Sequence, residues 1–239
     1  MLAAVGHDEN AWIAFRRQPA AFPMAGYVIG ALAAVPLAAL APPATAAAAF
    51  LAWVYLLTGV SHADGLTDLG DALAVHGDAA RRREVMRDTT VGVGGVLTLS
   101  VTTIALALGA FGLADATQPS EWPAVVAVVV ASEVGTKGAV ATLVCLGEAT
   151  HEGLGSALTE RAGPRSLLPV IGATLPAFAL TAVTPAAPIA TLAALATGGA
   201  VRRLARSTVG GVSGDVFGAT NELARAVALH AGVIAWMHW

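Results

Sequence analysis

Three aspartates lie close together at the end of an apolar stretch, in the segment Ser-His-Ala-Asp-Gly-Leu-Thr-Asp-Leu-Gly-Asp at residues 61–71. On a helix, the spacing i, i+4 and i+7 puts Asp64, Asp68 and Asp71 on one narrow face. Carboxylates this close repel each other unless they face water or share a cation, and hard oxygen ligands favour Mg²⁺, Mn²⁺ or Ca²⁺ over zinc. The pattern therefore predicts a metal site. The alternative is a solvated acidic first turn of a helix, which the helix dipole favours.

An arginine-rich segment follows the aspartates. Residues 81–88 read Arg-Arg-Arg-Glu-Val-Met-Arg-Asp and lead into Gly92 and Gly95. Arginine forks match phosphate oxygens, and glycine lets the backbone approach a bulky anion. Arginines beside a membrane are also ordinary topology determinants. Carboxylates for a metal and arginines for phosphates together suggest phosphoryl transfer, or the coupling of an alcohol to a diphosphate-activated substrate.

A second glycine-rich segment ends in an acid. Residues 210–215 read Gly-Gly-Val-Ser-Gly-Asp, ahead of a further apolar stretch. Free amide groups before a helix offer an anion site, and Asp215 and Glu222, seven residues apart, share one helix face. The alternative is that Ser213 or Asp215 only caps the helix and that the glycines serve tight packing.

The composition indicates which elements must position these residues. The chain is 56% hydrophobic and 12% charged with a mean hydropathy of +0.71, far more apolar than a soluble domain. We therefore predict one all-α integral membrane domain over residues 1–239. Two of its seven candidate spans are short and contain prolines, so they could form one broken unit. The candidate spans are residues 22–41, 44–60, 92–114, 122–146, 167–183, 186–201 and 216–238.

The basic residues predict the orientation. Eleven of the 13 lie on one side of a seven-span arrangement, and by the positive-inside rule that side is cytoplasmic. Residues 61–91 are thereby predicted as a cytoplasmic catalytic loop. The other two basic residues, Lys137 and Arg225, fall inside predicted spans, where Glu133 and Glu222 are the nearest acidic partners. Residues 1–20 lack the pattern of a signal peptide and are suited to an interfacial anchor.

Four blocks of the chain resemble the cobalamin synthases, also called adenosylcobinamide-GDP ribazoletransferases. Residues 58–72 are similar to that family's Thr-Gly-Gly-x-His-x-Asp-Gly-Leu-Ala-Asp-Thr-x-Asp-Gly, and residues 84–95 to its Glu-Ile-Met-Arg-Asp-Ser-x-x-Gly-x-x-Gly. Residues 152–155 match Glu-Gly-Leu-Gly. Residues 210–223 are similar to Gly-Gly-x-Thr-Gly-Asp-x-x-Gly-Ala-x-x-Glu-Leu, with Ser213 in place of threonine. In the fourth span, where family members often carry Ser-Arg, this chain has Lys137 as its basic residue.

The resemblance implies a polytopic transferase of the cell membrane whose active site faces the cytoplasm, in the last steps of vitamin B12 biosynthesis. It would join adenosylcobinamide-GDP to α-ribazole or its 5′-phosphate and release GMP, with Mg²⁺ as cofactor and the ribose 3′-hydroxyl as nucleophile. Besides these substrates, the implied partner is membrane lipid. No nucleic acid is expected, and a homo-oligomer is left open.

The resemblance also assigns roles to residues. Asp64, Asp68 and Asp71 would hold Mg²⁺. Asp88 or Asp215 would complete the metal site or accept the hydroxyl proton, with His62 as a second candidate base. Residues implied in binding substrate or phosphate are Arg87, Gly92, Gly95, Gly210, Gly211, Gly214 and Glu222.

Three other classes are weighed against this interpretation. A CDP-alcohol phosphotransferase would need alanine and arginine where the chain has Asp68 and Leu69. A membrane prenyltransferase would begin its metal motif with Asp-Asp or Asn-Asp, and neither pair occurs in the sequence. A small ion-coupled transporter could use the charged residues within the predicted spans. Its expected signature, broken helices repeated at matching positions, is not found.

Overall fold

The computed structural model describes residues 17–39, 41–182 and 184–239. Within these residues the fold is helical and contains no strand, only an isolated bridge between Ala149 and Val212. The all-α fold class predicted from the sequence is therefore confirmed. The interfacial anchor predicted for residues 1–20 lies mostly outside the described residues.

The α-helices, in chain order, account for most of the described chain. They are α1 (Ala21–Ala33), α2 (Val35–Ala39), α3 (Pro43–Thr58), α4 (Ser61–Ala74), α5 (Ala79–Val85), α6 (Val93–Ala116), α7 (Trp122–Leu146), α8 (Leu154–Thr159), α9 (Leu167–Thr174), α10 (Ala186–Thr208) and α11 (Gly214–Met237). Short 3₁₀ turns cover Pro119–Glu121, Pro164–Ser166 and Leu175–Ala179.

Fewer helices than expected are both long and apolar enough to cross a membrane. Among the described residues three helical stretches qualify, Ala21–Ala39, Val93–Ala116 and Trp122–Leu146, or four if α3 and α4 count as one bent span. The sequence predicts six or seven. α10 and α11 have 23 and 24 residues but carry several charged side chains. Residues 167–183 break into α9 and a 3₁₀ turn, as their prolines predict.

α7 is the central helix of the bundle. Its span is 83% buried, whereas that of α6 is only 28% buried and presents an apolar face to the surroundings. α7 packs against α1, α10 and α11. Gly26 and Gly30 allow α1 to approach closely, because a Cβ on either glycine would lie within 2.8 Å of an α7 Cα atom.

Candidate active site

A sharp bend separates the aspartate helix from the helix before it. Gly59 ends α3 with a φ of 74°, which a side chain would disfavour. The chain then turns by 97° into α4. The catalytic loop predicted for residues 61–91 is thus largely two helices, α4 and α5, and α4 lies outside the three stretches that qualify as spans on their own.

α4 crosses α11 at two glycines. A Cβ on Gly65 would lie 2.6 Å from Cα of Asp215, and a Cβ on Gly218 would lie 3.0 Å from the carbonyl oxygen of His62. Only glycine fits at these two contacts. The crossing carries Asp215 from the far end of the sequence to the aspartate helix, and we refer to it as the acidic crossing.

The carboxylates of the acidic crossing influence one another. Burial, together with the negative charges of Asp215, Asp64 and Asp71, raises the pKa of Asp68 to about 7. The predicted sharing of one helix face by the three aspartates agrees with this mutual repulsion. A fourth carboxylate, Asp215, joins them from α11.

Asp71 has a further role in the structure. Its Oδ2 accepts a hydrogen bond from the backbone N–H of Gly92 at 2.7 Å, and its Oδ1 accepts one from Gly95 at 2.8 Å. The side chain therefore caps the N-terminus of α6. Because these two N–H groups donate to Asp71, they are not free for a phosphate, and the phosphate role of the two glycines stays a prediction.

The types of donor at the acidic crossing fit a hard cation, since all are carboxylate oxygens. In the described ranges 17–39, 41–182 and 184–239, however, no group of three or more His, Cys, Asp or Glu side chains is arranged to hold a metal ion. Asp64 is exposed and Asp68 is half-buried, and both remain open to a ligand from the surface. Mg²⁺ binding by the three aspartates stays a prediction.

Arg87 and Asp88 lie on the exposed segment between α5 and α6. The guanidinium of Arg87 has no hydrogen-bond or ion-pair partner in the described part of the chain, so it is available to an anion. Asp88 accepts hydrogen bonds from the hydroxyl and the backbone N–H of Thr90, which lower its pKa. Asp88 is not among the carboxylates that raise the pKa of Asp68.

His62 faces away from the aspartates. Two residues before Asp64, it is rotated by about 160° around the helix axis. Its Nδ1 atom is buried and has no hydrogen-bond partner. Burial, followed by the positive charges of Lys137 and Arg225, lowers its pKa well below the usual value. The backbone of His62 thus belongs to the acidic crossing, but its imidazole is directed away from the aspartates, and its role as a base is not supported by this placement.

A buried polar network lies between α7 and α11. Arg225 pairs with Glu133 of α7 and, at 2.9 Å, with Glu222. Glu222 also accepts hydrogen bonds from Asn221 at 3.0 Å and from Tyr55 of α3 at 3.3 Å. The predicted pair of Glu222 with Arg225 is confirmed. The predicted pair of Lys137 with Glu133 is not formed, because Lys137 donates to Asn221 instead.

The network changes the interpretation of Glu222. Its predicted contact with substrate does not fit its place in the structure, because the residue is only 1% exposed and its carboxylate oxygens are held by Arg225, Asn221 and Tyr55. Asp215, seven residues earlier on the same helix, lies instead at the surface crossing. The spacing rule is correct about the shared face, but it carries no information on burial.

The segment at residues 210–215 is a cap and a packing element. Ser213 Oγ accepts from the N–H of Val216 at 3.3 Å, so the predicted cap of α11 is present. The backbone of Val212 pairs with residues 148–150, and a Cβ on Gly211 would lie 2.3 Å from the Glu148 carbonyl oxygen. Gly210 has a φ of 89°, and Gly214 is the first residue of α11. The phosphate role of these three glycines stays a prediction.

The sequence alone did not identify the pairing of residues 148–150 with Val212, nor the crossing contacts of Gly65 and Gly218. The available signal was a glycine directly after Asp64, since glycine inside a helix often marks the close approach of another backbone. Nothing in a single sequence indicates which backbone approaches.

Comparison with known proteins agrees with the resemblance of the four blocks. A family model described as cobalamin-5-phosphate synthase matches residues 4–233. A protein of Halorubrum lacusprofundi named adenosylcobinamide-GDP ribazoletransferase is 52% identical over 238 residues, 97% of this chain and 92% of that protein. Proteins with the same name from Haloquadratum walsbyi and Halobacterium salinarum are 43% and 46% identical, over 98% and 82% of this chain and 93% and 96% of theirs.

No solved structure matches the chain at a significant level. The assignment therefore rests on the sequence comparisons, which cover nearly the whole chain and include the residues of the acidic crossing. The chain belongs to the cobalamin-5-phosphate synthase family.

Proposed function

We propose that the chain is an adenosylcobinamide-GDP ribazoletransferase and that the acidic crossing of α4 and α11 is its active site. Family membership supports the activity. The observation that supports the location is the approach of Asp215 to Gly65, which adds a carboxylate from α11 to those of α4. Half-buried carboxylates that repel each other are costly unless a cation or a cationic substrate group offsets their charge.

In the proposed reaction, a ribose hydroxyl of α-ribazole or its 5′-phosphate attacks the phosphorus that carries the cobinamide arm. The new O–P bond forms as the bond between that phosphorus and the oxygen of GMP breaks, and the hydroxyl proton is lost. GMP leaves with the bridging oxygen. Such a transition state is stabilised mostly by positioning and by opposite charge.

The residues of the site have different roles in the proposed reaction. Mg²⁺ would be held by Asp64 and Asp68 with Asp215 facing them, and when bound it would neutralise the diphosphate and the departing GMP. Asp71 holds the N-terminus of α6 beside this set. An aspartate of the acidic crossing that is not a ligand of the metal would accept the proton of the attacking hydroxyl. Arg87, whose guanidinium has no partner in the described part of the chain, would bind a phosphate from the exposed segment before α6.

The proposed orientation places this site on the cytoplasmic face of the cell membrane. The arginine bias of the connections supports it. Arg83 of α5 donates to the carbonyl oxygen of Val209 at 2.8 Å, so the segment after α4 and the segment after α10 meet on one side of the bundle. A large corrinoid would then remain at the membrane surface while its phosphate arm enters the acidic crossing.

The decisive experiment measures GMP release from adenosylcobinamide-GDP by the protein in proteoliposomes, with and without α-ribazole, across a Mg²⁺ titration. Asp68→Asn should abolish release at every Mg²⁺ concentration. Asp78→Asn is the matched control, because Asp78 is an exposed aspartate that only caps α5. Wild-type release from Asp68→Asn would refute the proposed site, and release that does not depend on α-ribazole would refute the reaction.

A further inference from the structure

A pocket lies beside residues 210–212, in the segment that leads to Asp215. It is a shallow hollow, open to the surroundings, between the C-terminal part of α10 and two loops. Its lining residues are Leu146, Gly147, Glu148, Arg202, Arg206, Gly210, Gly211 and Val212. We call it the Arg202 pocket.

Two arginines at the Arg202 pocket are fixed by backbone carbonyls. Arg202 donates from Nη2 to the carbonyl oxygen of Leu146 at 2.8 Å. Arg83 donates from Nη1 to Val209 at 2.8 Å, and that nitrogen lies 3.1 Å from the position of a Cβ on Gly210. A guanidinium has five N–H donors. Each side chain is therefore held in place while most of its donors have no partner in the described part of the chain.

The third arginine has no partner at all among the described residues. Arg206 follows Arg202 by one helical turn, so the two charges lie on the same face of α10 and repel each other. Glu148 is the one carboxyl residue among those that line the pocket. It forms no ion pair with either arginine within the described chain, and its carbonyl oxygen is used by Val212. The residues that line the pocket therefore carry a net positive charge.

Gly210 and Gly211 line the hollow beside these charges. A Cβ on Gly211 would collide with the Glu148 carbonyl oxygen at 2.3 Å, so this glycine serves the close packing of the two loops. Planar guanidinium groups with free N–H donors match phosphate oxygens in pairs.

We propose that the Arg202 pocket binds a phosphate group of a substrate, with Arg202 and Arg206 as its ligands and Arg83 at its edge. This inference rests on the proposed function for the identity of the substrate. Val212, which lines the pocket, is three residues before Asp215 in the sequence, so one short segment connects the pocket with the acidic crossing. A phospholipid headgroup offers the same chemistry, and the test below separates the two sources.

The test uses Arg206, because its exposed side chain makes no hydrogen bond or ion pair in the described structure that its loss would break. The purified protein is placed in phosphatidylcholine nanodiscs, and the binding of inorganic pyrophosphate and of GMP is measured by calorimetry. Arg206→Gln should weaken the binding of pyrophosphate at least about tenfold, and Arg206→Lys should weaken it less. Arg203→Gln is the matched control, since Arg203 is exposed on the same helix but does not line the pocket.

Equal binding of pyrophosphate to Arg206→Gln and Arg203→Gln would overturn the anion site. If Arg206→Gln binds GMP normally and loses only a dependence of thermal stability on added anionic lipid, the substrate assignment is overturned in favour of a headgroup. The measurement of pyrophosphate binding tests the pocket separately from the proposed active site. Weaker pyrophosphate binding by Arg206→Gln together with full turnover by Asp68→Asn would refute the acidic crossing and leave the pocket standing.

Discussion

The Cα atom of Asp215 lies 2.6 Å from the point at which a Cβ on Gly65 would be placed. Since no larger side chain fits there, the short distance between α4 and α11 at the proposed site requires a glycine at position 65. Gly65→Ala should push the helices apart and reduce kcat about 100-fold, the scale expected for a misplacement near 1 Å. Gly172→Ala is the control, because a Cβ at Gly172 meets nothing within 4 Å. GMP release near the wild-type rate from Gly65→Ala would contradict this role of the crossing.

Asp71 and Asp68 should differ in their effects on stability although they share a helix face. Asp71→Ala removes the cap of α6 and should lower the free energy of unfolding by about 0.5–2 kcal/mol. Asp68→Asn removes a repelled charge, and it should raise the melting temperature by roughly a few degrees in the absence of metal. Thermal unfolding in detergent with EDTA measures both. A stabilised Asp71→Ala variant would refute the capping role.

The stability of the metal-free protein should depend on pH through Asp68. Its pKa in the folded chain is about 7, above the ordinary value of 3.8, so the folded state holds the proton more tightly than the unfolded state. Stability should therefore fall as the pH rises from about 4 to about 7, and this contribution should level off above that range. Melting temperatures in EDTA from pH 5 to pH 8 test this. The Asp68→Asn variant should show a flatter profile, and an identical profile would exclude Asp68 as the source.

Arg87 should bind phosphate through its guanidinium fork. Arg87→Lys keeps the charge but loses the paired donors, so the KM for adenosylcobinamide-GDP should rise about tenfold. Arg81→Lys serves as the control because Arg81 makes only an exposed ion pair with Glu84. Steady-state kinetics on both variants decide the question. Similar KM values for the two would assign Arg87 to membrane topology alone.

Glu222 should act on stability and not on substrate binding. Its carboxylate is buried against Arg225, and Arg225→Leu would leave both Glu222 and Glu133 without their main partner. That change should cost about 3–5 kcal/mol of stability. The milder Glu222→Gln should lower the melting temperature with an unchanged KM. A raised KM at an unchanged melting temperature would restore the substrate role predicted from the sequence.

The sequence predicts local geometry well because helix periodicity is a local property. The shared face of Asp64, Asp68 and Asp71, the cap at Ser213 and the break within residues 167–183 all follow from neighbours a few positions away. The contacts that complete the site cannot be predicted from such near neighbours. Asp71 bonds to an amide 21 positions later, and Asp215 meets Gly65 from the other end of the chain, so both depend on how whole helices pack.

Burial is the other property that local pattern leaves open. Glu222 and Asp215 have the spacing of one helix face, yet one belongs to the buried network and the other to the surface crossing. The difference arises because α11 runs from the loop at residues 210–213 into the centre of the bundle beside α7. The pairing of opposite charges three or four residues apart on a helix correctly predicts Glu222 as a partner of Arg225. It does not predict the hydrogen bond from Lys137 to Asn221.

The bond between Asp71 and the first amide groups of α6 has a mechanical consequence. α6 is the least buried of the three helical stretches that qualify as spans, with only 28% of its span buried within the bundle. A helix in that position tilts as the hydrocarbon thickness changes, and its amide groups move with it. Because Asp71 holds those groups and stands one helical turn from Asp68, we expect the geometry of the carboxylates to respond to the acyl chains around the protein, so that the rate of GMP release changes with bilayer thickness.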